Sequence, residues 1–219
     1  MAGHSIYKEI KAEMQSRKLL SEEPNTLQKF EISQAPTLYS PFVAVLRIGH
    51  RLVRDDRTTT HAVLVSRALG CKKIFMTDVD DEIKNTLKKV NQRWGGNKDF
   101  ELQIIDNWKK TIKKWKEDNG IVVHLTMYGE RINDKIDEIK SKASNQKILA
   151  IIGAEKVPKE IYDLSDYNLA IGNQPHSEIA ALAVFLDRIF GGSQLDRNFE
   201  DESMKIIPSE RGKNVVKIN

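Results

Sequence analysis

A mostly parallel α/β sheet with helices on both faces is the fold class this sequence predicts, and three observations predict it. Short apolar runs rich in Val, Ile and Leu recur along the chain, each bounded by turn residues. Between them lie segments whose apolar residues repeat every three or four positions, the period of an amphipathic helix. Two of the runs also stop at a glycine and give way to loops of Asn, Pro, Ser and charge. These are Ile151-Ile-Gly-Ala-Glu-Lys-Val-Pro158 and Ala170-Ile-Gly-Asn-Gln-Pro-His-Ser-Glu178. Paired strand ends of this kind describe a small-molecule pocket at the carboxyl edge of a sheet.

The elements follow in order. Residues 1–40 are polar and punctuated by Pro24 and Pro36, and read either as an accessory helix with a linker or as a disordered tail. From Phe42 the texture changes. Phe42–Ile48 is a buried strand, Gly49–Thr59 a polar loop, and Thr60–Leu69 a helix closed by Gly70. Lys73–Thr77 is the next strand. Asp80–Trp94 is a helix with Ile83, Leu87 and Val90 on one face, stopped by Gly95-Gly96. Phe100–Ile104 and Ile121–Leu125 are strands flanking a helix at Asn107–Lys116. Arg131–Lys142 is a helix with Ile132, Ile136 and Ile139 inward, and Ile148–Ile152 a continuous apolar strand. A short helix at Lys159–Leu164 and a strand at Asn168–Ile171 lead to a long helix, Ser177–Phe190. Its Ile179, Leu182, Ala183 and Leu186 share a face, and Gly191-Gly192 ends it. Beyond it lie a strand at Met204–Pro208 and a basic tail, Arg211–Lys217.

Composition narrows the function. With 219 residues, 40% of them hydrophobic, the chain can bury a full core. A mean hydropathy of −0.47 and the lack of an apolar run near eighteen residues argue against a membrane span. The opening stretch has no apolar core of the secretory type, and a single cysteine, Cys71, cannot form an internal disulfide; both fit a cytoplasmic protein. The five histidines are scattered without metal-ligand spacing, so no metal is expected. A net charge of +4 permits a polyanionic partner without requiring one.

The motifs narrow it further. There is no GxxxxGK[ST], no GxGxxG turn and no GxSxG elbow, so the pocket should suit a ligand without phosphates. Gly153 lets backbone approach a ligand closely, and Gly172 permits a sharp turn. Asn173 and Gln174 offer amides, Ser177 can cap the long helix, and Glu178 suits its positive end. A second cluster, Arg47, His50, Arg51, Arg54, Arg57 and His61 with the hydroxyls Thr58, Thr59 and Thr60, follows a strand end. Arginine forks suit phosphate oxygens, so this stretch reads as a polyanion-binding loop; Asp55 and Asp56 also allow internal pairing. A third strand end, His124-Leu-Thr-Met-Tyr-Gly129, can line an apolar or adenine-sized slot with Leu125, Met127 and Tyr128.

Together these segments resemble the SPOUT superfamily of knotted methyltransferases, and within it the archaeal branch that 2′-O-methylates cytidine 56 of tRNA. The residues that carry the resemblance are Val45–Arg51, Arg54–His61, Arg93-Trp-Gly-Gly96, Val123–Gly129, Ile152–Pro158, Tyr167–Ile189 and Arg211-Gly-Lys213. They run in the family's order from about Phe42 to the end, so residues 41–219 are expected to form the methyltransferase domain. The resemblance implies a deep C-terminal trefoil knot, a homodimer, and S-adenosylmethionine held by three loops. These are Leu125–Gly129, with Leu125, Met127 and Tyr128 foremost; Gly153, Ala154, Glu155, Lys156 and Val157; and Ile171, Gly172, Asn173, Gln174, Pro175, His176, Ser177 and Glu178. It also implies an arginine beside the acceptor 2′-hydroxyl, Arg57 first, Arg54 next and Arg47 third, with Arg47, His50, Arg51 and Arg54 gripping tRNA phosphates. Two alternatives stay open: methylation at another tRNA or rRNA position, with Asp55 or Asp56 serving a base nitrogen, and a non-catalytic RNA-binding module. The apolar face of Ile179–Ile189 is a dimer contact or an intrachain one.

Overall fold

The structure is a computed structural model that describes residues 40–49 and 56–218. Both the accessory segment expected before residue 40 and the heart of the arginine loop therefore lie outside it. Six strands, all parallel, form the central sheet: β1 (Val43–Ile48), β2 (Lys73–Met76), β3 (Glu101–Ile104), β4 (Ile121–Arg131), β5 (Ile148–Gly153) and β6 (Tyr167–Ala170). Their order across the sheet is β3-β2-β1-β5-β4-β6. Six helices connect and follow them: α1 (Asp56–Ala68), α2 (Glu82–Trp94), α3 (Trp108–Glu117), α4 (Ile132–Ala143), α5 (Glu160–Leu164) and α6 (Glu178–Phe190).

The sheet sits between two cores. Val43 and Val45 of β1 face the side packed by α1, α2, α4 and α6, while Ala44 and Leu46 face the side packed by α3 and α5. Central strands covered on both faces have no polar face, which is why β1 and β5 read as continuous apolar runs. Because β1 extends toward β2 on one side and is flanked by the later β5 on the other, the chain reverses direction across the sheet between β1 and β5. In open α/β sheets ligands bind at the carboxyl ends of strands around such a reversal.

Most expected elements lie within two residues of their predicted bounds. Three differ. The first helix starts at Asp56, four residues before Thr60, because Thr59 is drawn into the core (3% exposed) instead of staying in a solvated loop. The fourth strand does not stop at Leu125 but resumes at Glu130 after an excursion. The basic tail folds back: Val215–Lys217 (β8) pairs antiparallel with Met204–Ile206 (β7). On α6, Ala181, Leu182, Phe185, Leu186, Ile189 and Phe190 are buried within the single chain. Of the two uses expected for that face, intrachain packing is the one observed.

The segment after α6 is fastened to the turn closing α2. Gly95 (φ +72°) and Gly96 (φ +93°) bend the chain so tightly that a β-carbon on Gly95 would sit 2.6 Å from Phe199 Cβ. Asp201 accepts from the Gly96 and Asn97 amides. Arg67 donates to Asn91 Oδ1 and to the Trp94 and Gly95 carbonyls, and its guanidinium lies 4.3 Å from the Phe199 ring centre. The Arg93-Trp-Gly-Gly96 motif thus builds a clasp.

Candidate active site

The carboxyl ends of β4, β5 and β6 and the first turn of α6 enclose a cavity of about 770 Å³, within the range of small-molecule sites. Each strand ends there by a different device. On β4, Leu125 and Glu130 both stand opposite Leu169 of β6, so Thr126–Gly129 leave the sheet as a four-residue bulge. Gly129 lets the bulge return flat against β6, since a β-carbon there would lie 2.4 Å from Asn168 backbone atoms. On β5, the loop curls back over Gly153, where a β-carbon would meet Val157 Cγ1 at 2.4 Å and the Glu155 carbonyl at 2.8 Å. After β6, Gly172 adopts φ +78° and the chain turns into α6.

Side chains tie these loops together. Asn173 Nδ2 donates to the Met127 and Gly129 carbonyls at 2.9 and 3.2 Å, joining the third loop to the first. His176 Nε2 pairs with the Ile171 carbonyl at 2.7 Å. Ser177 Oγ accepts from Ile179 N–H, the cap that starts α6. Of the residues expected around the cofactor, all line the cavity except Gly129, Ala154, Gly172 and Asn173, which shape or brace the loops.

Five lining residues escaped the sequence reading: His124, Ile152, Lys159, Tyr162 and Ala181, while Thr126 lies within the expected Leu125–Gly129 loop. Several form one network. His124, 2% exposed, faces Asn168 Oδ1 through Nδ1 at 2.9 Å, while Asn168 Nδ2 donates to the Tyr162 carbonyl. That second bond orients the amide so that its oxygen accepts from Nδ1–H. Burial lowers the His124 pKa, only partly opposed by the Asn168 hydrogen bond, so the ring is neutral at pH 7. Tyr162 packs edge-on against it at 4.7 Å and bonds through its hydroxyl to Thr126 Oγ1. A periodicity argument sees only a strand histidine here; the partners come from β6 and α5.

Arg47 departs from expectation. It was read as a phosphate contact and as the third candidate beside the acceptor hydroxyl, yet it is 1% exposed. Its Nε and Nη2 both donate to Glu178 Oε1, at 3.2 and 2.9 Å, and Nη1 donates to Thr59 Oγ1 and the Gly49 carbonyl. With every guanidinium nitrogen engaged inside the protein, Arg47 offers nothing to a surface phosphate. Instead it joins the end of β1, the first turns of α1 and the start of α6. Arg57, two residues before Thr59, lies exposed on the first turn of α1 and forms no ion pair with another described residue. His50, Arg51 and Arg54 fall outside the described residues.

Among solved structures, the chain aligns with the SpoU methyltransferase AviRb from Streptomyces viridochromogenes in complex with AdoMet. The TM-score is 0.51 at 13% identity, covering 69% of this chain and 58% of that one. An RNA 2′-O ribose methyltransferase gives TM-score 0.51 at 13% identity, covering 78% of this chain and 61% of that one. The chain thus spans less than two thirds of each. At such identities the likeness concerns the fold alone, and the fold is that of the SPOUT methyltransferases.

The sequence comparisons are far closer. The family described as "tRNA ribose 2'-O-methyltransferase, aTrm56" matches residues 94–216. The tRNA (cytidine(56)-2'-O)-methyltransferase of Nitrosopumilus maritimus is 56% identical over 79% of this chain and 95% of its own length. Its namesake in Methanocaldococcus jannaschii is 54% identical over 80% and 96%, and that of Thermococcus kodakarensis 51% identical over 80% and 97%. The chain belongs to the aTrm56 family of tRNA ribose 2′-O-methyltransferases.

Proposed function

We propose that the protein transfers a methyl group from S-adenosylmethionine to the ribose 2′-hydroxyl of cytidine 56 in the tRNA T-loop. The observation that carries this reading is the identity of more than half to relatives of that name, across nearly their whole length. The cavity suits the donor. Its walls combine apolar surface from Leu125, Ile152, Val157 and Ile171 with both signs of charge at Glu155, Lys156, Lys159 and Glu178. A nucleoside joined to a zwitterionic amino acid, with no phosphate, needs that mixture. S-adenosylmethionine would supply an electrophilic methyl on a sulfonium and leave as S-adenosylhomocysteine; the protein's task is to bring the hydroxyl into line and let its proton pass to water.

Arg57 is assigned to the acceptor side, with Arg54 second. A guanidinium stays charged, so Arg57 acts by polarising the hydroxyl or fixing the adjoining phosphate, not as a base. His50, Arg51 and Arg54 are assigned to backbone phosphates, and affinity for tRNA should fall steeply with salt. We also assign the superfamily's knot and homodimer to this chain. The placement of β5 between β1 and β4 accords with a chain that crosses over itself late, and the subunit contact must use surface other than the filled face of α6.

The test is mass spectrometry of unmodified tRNA treated with the protein and S-adenosylmethionine. A single added methyl on the ribose of cytidine 56 is expected. A methyl on a base or another nucleotide would replace this reading with the alternative site, and no methyl with cofactor still bound would leave an RNA-binding module. Arg57→Ala is expected to lower kcat about 10²-fold or more at saturating tRNA; wild-type turnover would remove Arg57 from the site.

A further inference from the structure

The reaction class itself places a nucleobase at the rim of the cavity. Methyl transfer to a ribose brings that sugar to the cofactor, and the base on it, or the next along the strand, must lie beside the opening. Unpaired bases are held chiefly by stacking on aromatic side chains. Four aromatic residues line the cavity: His124, Tyr128, Tyr162 and His176. Three are engaged. His124 and Tyr162 pack on each other, and the Tyr162 hydroxyl is bonded to Thr126. His176 lies against backbone, its Nε2 2.7 Å from the Ile171 carbonyl and its Nδ1 3.1 Å from the Ser177 carbonyl.

Tyr128 remains. It is 75% exposed, more than any other large apolar side chain among the described residues. Its ring has no aromatic or cationic neighbour within the described part of the chain, yet its backbone is held firmly. Asn173 binds the carbonyls on either side of it, at Met127 and Gly129, and Thr126 Oγ1 accepts from its own amide at 3.4 Å. Gly129 lies flat on β6 immediately behind. A large ring held out into water on a braced support is prepared for a flat partner, because little freedom is left to lose when that partner arrives.

We infer that Tyr128 is the stacking platform for the nucleobase at or next to the methylated nucleotide, and not a wall of the cofactor slot as its sequence position suggested. The inference rests on the tRNA-methylating reading above. It is specific in one respect: only the aromatic face is required, so the hydroxyl is dispensable.

The experiment compares wild type, Tyr128→Phe and Tyr128→Ala. Three quantities are read: tRNA affinity by fluorescence anisotropy, the affinity for S-adenosylhomocysteine by calorimetry, and the assembly mass by sedimentation. Tyr128→Ala is expected to weaken tRNA binding about tenfold or more, the range of one base–aromatic stack. Tyr128→Phe should stay within about twofold, and the affinity for S-adenosylhomocysteine and the mass should not change. Loss of S-adenosylhomocysteine affinity in step with tRNA affinity would return Tyr128 to the cofactor wall and overturn the inference. A change in assembly mass would make the ring a subunit contact, and unchanged tRNA binding would leave it no role. Failure of the methylation reading would show in the wild type, as product missing from tRNA. Failure of the stacking inference would show only in the ratios between variants.

Discussion

Arg47, at the end of β1, and Arg67, in the last turn of α1, are both buried, and both sit next to glycine turns. Their partners differ. Arg47 meets a carboxylate, Glu178, which is 12% exposed and lines the cavity. Among the described residues Arg67 hydrogen-bonds to no carboxylate: it donates to Asn91 and two backbone carbonyls beneath the Phe199 ring. Burial first, and the charge of Arg197 second, push its pKa below the usual arginine value, with Asp201 and Asp99 opposing from a distance. The contrast shows what separates a site from a fastening. An arginine tied to a charged group beside a cavity links packing to ligand binding, whereas one tied to carbonyls links packing only to packing. The Arg93-Trp-Gly-Gly96 motif and the Leu46-Arg-Ile-Gly49 strand end look alike as sequence, yet only the second opens on the pocket.

That contrast can be broken. The largest effect is expected from Arg47→Met, which removes both guanidinium donors from Glu178 Oε1. Removing one member of a buried pair costs about 3 kcal/mol or more, and the shift of the α6 start should also abolish most cofactor binding by calorimetry. Arg67→Met comes next. It keeps the stem against Phe199 but loses the bonds to the Trp94 and Gly95 carbonyls, costing about 2 kcal/mol in denaturant unfolding. Its affinity for S-adenosylhomocysteine should stay within about twofold of wild type. If Arg67→Met weakened cofactor binding as much as Arg47→Met, the distinction between site and fastening would collapse.

The smallest effect sharpens the comparison by using pH. His124 lines the same cavity as Glu178, and its folded pKa lies below the ordinary value of about 6.5. As pH falls past about 6.5 the unfolded chain gains a proton on this residue that the folded chain does not. Stability from this group is therefore full above that pH and is lost progressively below it, until the folded pKa is also passed. The slope cannot exceed about 1.4 kcal/mol per pH unit. Urea unfolding at pH 7.5 and 5.5 should show a shallower pH dependence for His124→Gln than for wild type. An unchanged dependence would mean the ring titrates alike in both states.

Much of this was legible in the chain because the relevant physics is local. Glycine at strand ends, Ser177 ahead of an apolar helix, and Gly95-Gly96 after another are short-range signals, and the structure uses them as turns and caps. The three loops were also legible, since each joins an apolar run to a polar turn. Less visible was the length of α1. Its first turn looks like loop because Thr58, Thr59 and Thr60 are weak helix formers, but Thr59 is drawn inward by Arg47. The β4 bulge was invisible for a similar reason: only the pairing of both Leu125 and Glu130 with Leu169 reveals it.

By itself, then, the sequence determined the α/β alternation, the helix caps and the carboxyl-edge pocket, all written in neighbouring residues. Tertiary structure alone decided the surroundings of Arg47, His124 and Tyr128. Arg47 became a strut because its carboxylate lies 131 residues away. His124 became neutral because β6 and α5 close over it, and Tyr128 stands in solvent because the bulge carries it clear of the sheet. Charge state and exposure depend on what lies across the fold, and local sequence pattern does not contain that.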